Sequence, residues 1–207
     1  IPPRMKIICI GRNYVAHAQE LGNAVPDEPV IFMKPKNALL TPGNPFYYPA
    51  FTNELHYECE IVVRICKNGK FIHPSQAHHY FEEVTLGIDF TARDVQDKLK
   101  KKGLPWEKAK AFDQSAAIGE FVPWESLHDP NNIHFTFFRN GEQVQEGFSN
   151  LMLYPIHQII AHVSEYFTLN IGDLIFTGTP AGVGECVVAD RFEGFLEDRK
   201  LLEVEIK

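Results

Sequence analysis

A chain of 207 residues carrying a formal net charge of −7 and a pI near 5.7 suits one medium domain with a real core, and its charge argues against nucleic acid or an anionic membrane as the main partner. No apolar run approaches the roughly 18 residues that cross a bilayer, and the amino end lacks a charged-then-apolar signal layout, so a cytoplasmic protein is expected, or a mitochondrial one in a eukaryote. Cys9, Cys59, Cys66 and Cys186 form no Cys-x-x-Cys pair and read as reduced core thiols.

Residues 1–4, ahead of Met5, read as a leader remnant. Lys6–Ile10 reads as a short buried strand closed by Gly11. Asn13 is placed to cap a brief helix from Tyr14 to Leu21, on which His17 and Glu20 stand three apart on one face. Such a pair can be a base with its orienting carboxylate or an ordinary surface ion pair. Val30–Lys34 reads as a buried strand ending in a lysine that either binds an anion or snorkels to water. The prolines between Thr41 and Pro49 predict an extended loop or edge strand.

The segment from His56 to Gln96 carries the densest chemistry. On a strand, Glu58 and Glu60 point to one face while Tyr57, Cys59 and Ile61 point to the other. Two glutamates on one face repel unless a proton or a cation lies between them, or unless both are solvated. The apolar run Val84–Ile88 ends on Asp89, a candidate third oxygen ligand, and such hard ligands favour magnesium, calcium or manganese over zinc. Asn68-Gly69 predicts a hairpin from Glu60–Cys66 to Lys70–Ile72, and Pro74–Glu83 a short helix with solvent-facing histidines. Thr91 is placed as the cap of a helix over Ala92–Lys102 ending at Gly103, with Arg93 and Gln96 in its first turn, where they could clamp a carboxylate. The lysines from 100 to 102 read as compensation of the helix dipole.

Asn140-Gly141 predicts a second hairpin, joining Ile133–Phe138 to Gln143–Glu146. Pro155–Phe167 is the longest helical pattern, with Ile156, Ile159, Ile160 and Val163 on one side. Gly172-Asp173 turns into the strand Leu174–Phe176, and the glycine-rich run from Thr177 to Gly184 leaves backbone amides free to approach an anion. It lacks the Lys-Ser or Lys-Thr ending of a phosphate loop, which argues against nucleotide binding. Leu201–Ile206 alternates as a half-exposed strand.

In order, Gly11-Arg12-Asn13-Tyr14 with His17 and Glu20, Lys34-Pro35, Glu58-x-Glu60, Asp89 through Gln96, Lys110-Ala-Phe-Asp113 and the run from Thr177 to Gly184 resemble the fumarylacetoacetate hydrolase family. The resemblance covers nearly the whole chain and is nearest the short acylpyruvase and oxaloacetate decarboxylase type. It implies an α+β fold, a mixed β-sandwich or roll with few short helices, forming a single catalytic domain and a homodimer. It also implies magnesium or manganese, with calcium as a further hard cation, held by Glu58, Glu60 and Asp89. His17, Glu20 and Lys110 then fall on catalytic positions, and Arg12, Lys34, Arg93, Gln96 and Thr179 against the substrate. Ala111, where serine is common, and Phe148, in a stretch often Gly-x-Thr-Ser-like, depart from the pattern and bear on substrate range. The implied reaction is hydrolysis of the carbon–carbon bond of an acylpyruvate through an enolate stabilised by the cation. The alternatives are decarboxylation of oxaloacetate or of a related unsaturated keto diacid, or its isomerisation, and a metal-binding module without catalysis.

Overall fold

The computed structural model describes residues 5–20 and 25–207. The chain runs through β1 (Ile7–Gly11), the short helix α1 (Val15–Glu20), β2 (Val30–Lys34), β3 (Leu39–Leu40), β4 (Leu55–Tyr57) and β5 (Cys59–Ile65). Then come β6 (Phe81–Asp89), β7 (Thr91–Ala92), α2 (Arg93–Lys101), the single-turn α3 (Glu107–Lys110), β8 (Ala116–Ile118) and β9 (Val122–Pro123). The remainder is β10 (His134–Arg139), β11 (Glu142–Phe148), α4 (Ile156–Tyr166), β12 (Leu174–Phe176), β13 (Gly184–Glu185), β14 (Arg191–Leu196) and β15 (Arg199–Glu205). An eight-stranded mixed sheet has the order β2-β1-β12-β5-β6-β8-β3 with β9 beside β6, a four-stranded sheet the order β11-β10-β14-β15, and a three-stranded one the order β13-β4-β7. This is the expected α+β arrangement of packed sheets with few short helices.

The large sheet is apolar on both faces, with strand alternation dividing them. Ile8, Ile10, Ile61, Val63, Leu86 and Ile88 belong to the main core with Phe135, Phe137, Phe192 and Leu202 of the four-stranded sheet and Ile159, Ile160 and Val163 of α4. Ile7, Cys9, Val62, Ala116, Leu174 and Phe176 form a smaller cluster, against which Phe32, Leu39, Ile118 and Phe121 pack while partly exposed.

Asn140 and Gly141 both take positive φ, 53° and 85°, the geometry that a two-residue hairpin turn between right-twisted strands demands. Asn68-Gly69 makes no hairpin, because β5 pairs with β6 across the long intervening loop and Lys70–Ile72 forms no strand. Gly69 instead exchanges backbone hydrogen bonds with Leu169, and a Cβ there would lie 2.3 Å from the Tyr80 ring. Only Pro74–His79 of the expected 74–83 helix is helical, as 3-10 turns. Asn13 and Thr91 are not caps. Thr91 pairs with His56 in the small sheet, and Ala92 opens α2 without a side-chain cap. The expected end of α1 at Leu21 and Gly22, and residues 1–4, lie outside the described residues.

Candidate active site

Alternation from Tyr57, the last residue of β4, into β5 turns Tyr57, Cys59 and Ile61 into the main core and leaves Glu58 and Glu60 on the other side. Across the ladder Glu60 stands opposite Gly87, and the Asp89 N–H donates to the Glu58 carbonyl at 2.9 Å. The register therefore brings one oxygen each from Glu58, Glu60 and Asp89 within 4.8 Å of one another, all three side chains buried.

The three carboxylates are unequally compensated. Lys110 Nζ donates to Glu58 Oε2 at 2.7 Å, to Asp89 Oδ2 at 2.6 Å and to Thr91 Oγ1 at 2.6 Å, and Arg93 Nη2 donates to Glu58 Oε1. Burial pushes Glu58 toward the protonated form, but Lys110 and Arg93 outweigh it and hold its carboxyl well below the usual range. Burial likewise presses on the Lys110 ammonium, and Asp89 with Glu58 overcomes it, so its pKa is raised. These contacts favour the ammonium form of Lys110. Glu60 is hydrogen-bonded by the Gly178 N–H alone among the described residues, at 2.7 Å. Burial, then the nearby Asp89 charge, lifts it well above the usual carboxylate range.

These residues fit a hard divalent cation. Asp89 Oδ1 has no hydrogen-bond partner among the described residues, although Lys34 Nζ lies 2.7 Å away as an ion contact without hydrogen-bond geometry. Among the described residues, an Asp89 oxygen lacks a hydrogen-bond donor and Glu60 has no ion pair, and both carboxylates belong to the same close group with Glu58. The three carboxylates are matched in number by Lys34, Arg93 and Lys110, so a dication held there leaves a positive centre suited to an anionic substrate.

The glycine-rich loop does approach anions, but they are the protein's own. Gly178 N–H goes to Glu60, and Gly182 N–H to Glu20 Oε1 at 3.0 Å and Oε2 at 3.3 Å. Gly178 takes φ +100°, and a Cβ on it would lie 2.7 Å from the Asn13 Cβ. Asn13 itself donates to Thr177 O at 2.7 Å and Tyr154 O at 3.0 Å and accepts from Tyr154 N at 2.8 Å, so it ties β1's exit to this loop. Glu20 therefore pins α1 over the cleft, with His17 Nδ1 3.5 Å from Glu20 Oε2 and its other nitrogen left for the cleft. Burial lowers the His17 pKa below its usual value despite Glu58 and Glu20, which favours the neutral ring at neutral pH.

The cleft is lined by Arg12, His17, Glu58, Glu60, Asp89, Arg93, Gln96, Lys110 and Thr179, together with Ile10, Gly11, Phe32, Lys100 and Trp106. Lys34, expected against substrate, does not line it. Its ammonium lies behind Asp89, donating to Ser115 O at 2.9 Å and to the carbonyl of Lys110. Glu20 does not line the cleft, and Gln96 accepts from Arg93 Nη1 at 2.6 Å, while the Thr179 hydroxyl donates to Cys59 O and accepts from Gln145 Nε2. The sequence reading missed Phe32, Lys100, Trp106 and the buried Gln145, which also accepts from Cys59 N at 2.9 Å. Only Lys100 carried a signal, standing four residues beyond Gln96 and seven beyond Arg93 on one helical face.

Mixed sheets with few short helices, carrying a buried three-carboxylate group beside a short His–Glu helix, define an α+β domain with a candidate metal centre. The sequence matches the fumarylacetoacetate (FAA) hydrolase C-terminal family over residues 6–207, and the chain belongs to that family. Oxaloacetate tautomerase FAHD1, mitochondrial, of Bos taurus is 46% identical over 178 residues, 86% of this chain and 80% of that protein. The oxaloacetate decarboxylase, mitochondrial, of Dictyostelium discoideum is 39% identical over 180 residues, 86% of this chain and 83% of that protein. The crystal structure of fumarylpyruvate hydrolase from Pseudomonas aeruginosa in complex with Mn2+ and pyruvate shares 35% identity at a TM-score of 0.91, covering 97% of this chain and 88% of that one.

Proposed function

We propose that this chain is an enzyme acting on oxaloacetate, interconverting its keto and enol forms and releasing carbon dioxide from it. Acylpyruvate hydrolysis, the reading the motifs first favour, becomes the second. What carries the first reading is the agreement between relatives named for oxaloacetate chemistry and a buried centre that cancels its own charge and so leaves room for a dication and a dianion.

Glu58, Glu60 and Asp89 would hold the cation, which when bound supplies Lewis-acid stabilisation of negative charge on the substrate's 2-oxo oxygen. Lys110 favours the ionised form of Glu58 and holds Glu58 and Asp89 in place through hydrogen bonds, and Arg93 holds the other oxygen of Glu58. His17, neutral and oriented through Glu20, takes the proton from C3 of oxaloacetate in tautomerisation and gives it back in the reverse direction, whereas after carbon dioxide leaves C3 takes its proton from solvent, directly or through His17 once solvent has protonated it. Glu58, Glu60, Asp89 and Lys110 are all buried, which strengthens the electrostatic interactions among them.

The second reading has its own support, since a structural neighbour is a fumarylpyruvate hydrolase and the same His17–Glu20 pair could deprotonate an attacking water. Incubation with magnesium and either oxaloacetate or acetylpyruvate, following loss of each and formation of pyruvate, separates the two. The first reading requires oxaloacetate to be converted well above the protein-free rate, and turnover of acetylpyruvate alone would overturn it.

A further inference from the structure

Helix α2 turns Arg93, Gln96 and Lys100 to the cleft, while Lys98, Lys101 and Lys102 are exposed. Arg93 and Gln96 are already engaged, with each other and with Glu58. Lys100 is different. Among the described residues it makes no hydrogen bond and no ion pair, and its nearest recorded partner is the Trp106 ring, 5.6 Å from Nζ. Arg12 lines the same cleft, also without a hydrogen bond or ion pair among the described residues. Its backbone is held at φ 59°, a strained value for a non-glycine residue, next to Asn13, whose three hydrogen bonds fix the turn.

The cations around this point crowd one another. The Lys100 pKa is lowered by burial and then by Arg93, Arg12 and Lys110, in that order, with Asp97 the carboxylate that opposes them. Compensation of the helix dipole explains a lysine at the end of α2 but not one turned into a cleft beside two arginines. An anion placed between Arg12 and Lys100 would relieve that repulsion, and the cleft already has a separate centre for a keto-acid head at the three carboxylates.

We propose that Lys100, with Arg12, forms a subsite for the distal carboxylate of a keto diacid and thereby selects dianionic 2-keto acids over monoanionic ones. This deepens the function proposed above and rests on its assumption that the keto-acid head sits at the carboxylate centre. Lys100 is a specificity residue that touches the end of the substrate remote from its 2-oxo group.

The test uses two acids of equal length that differ in one terminal carboxylate, 2-oxoglutarate and 2-oxopentanoate, titrated by calorimetry into the magnesium-loaded protein. The parent is expected to prefer the diacid by about tenfold or more. Lys100→Met should remove most of that preference by weakening 2-oxoglutarate alone, Lys100→Arg should keep it, and Lys101→Met should behave as the parent. A parent without preference, a Lys100→Met variant that keeps it, or equal weakening of both acids would overturn the subsite. Because no turnover is read, a protein that prefers the diacid yet leaves oxaloacetate unconverted would refute the reaction and not the subsite.

Discussion

Gly178 donates its backbone N–H to Glu60 Oε2 at 2.7 Å, the one hydrogen bond that this buried carboxylate receives among the described residues. The contact exists because Gly178 can take φ +100° with its Cα pressed against Asn13. Gly178→Ala should cost about 1–3 kcal/mol of stability, since both the backbone conformation and the 2.7 Å approach to the Asn13 Cβ become unfavourable. It should also weaken cation binding by moving Glu60. Denaturant melts and magnesium titration check both effects, and an Ala variant with parental stability would show that the loop relaxes freely.

Glu60 stands raised in pKa by burial and by Asp89, and among the described residues no lysine or arginine is paired with it. Glu60→Gln should therefore fold, keep the Gly178 contact through its amide oxygen, and melt no lower than the metal-free parent. Magnesium at about 100 times its dissociation constant should raise the parent's melting temperature by about 5–10 °C and leave the variant nearly unmoved. An equal shift in the two proteins would remove Glu60 from the cation site.

Helix α1 spans six residues and is tied down by Glu20, which accepts from the Gly182 N–H. A helix so short is marginal without its packing. Amide exchange over residues 14–20 should slow markedly when magnesium and oxalate are added, and unchanged exchange would count against closure on ligand. His17→Ala should keep oxalate binding while abolishing tautomerisation and any acylpyruvate hydrolysis, with a smaller effect on loss of carbon dioxide. In the parent, hydrolysis and tautomerisation should fall off only as pH drops below His17's ordinary value near 6.5, because burial lowers its pKa and the neutral ring is the active one.

The second face of the large sheet leaves Phe32, Leu39, Ile118 and Phe121 partly exposed over an apolar cluster. Such a face favours a second copy of the chain, and we expect a homodimer. Light scattering at micromolar protein should give about twice the chain mass, and a mass of 23.6 kDa would contradict it.

Strand alternation placed Glu58 and Glu60 together in the sequence reading, and Asn140-Gly141 was legible because its turn is a local matter of φ. What could not be read was the use of polar side chains by distant partners. Asn13 looked like a cap, yet it binds Tyr154 and Thr177 more than 140 residues away in sequence, a demand that outweighs capping a single short helix. Thr91 is likewise drawn to Lys110, and Asn68 accepts from Ile171 N instead of turning a hairpin. Lys34 at a strand end looked like a substrate contact, and only the return of Ser115 and Lys110 across it shows that it supports Asp89 from behind. Lys100 was within reach of helical spacing but was absorbed by the dipole argument.

If Glu58, Glu60 and Asp89 hold a cation, this chain should catalyse enolisation of oxaloacetate only with that cation present. Proton NMR in deuterated water, following washout of the C3 hydrogens of oxaloacetate with magnesium, tests it most directly. Washout should run well above the protein-free rate and fall to that rate with chelator and in Glu60→Gln. Washout no faster than without protein, or equally fast in Glu60→Gln, would contradict it.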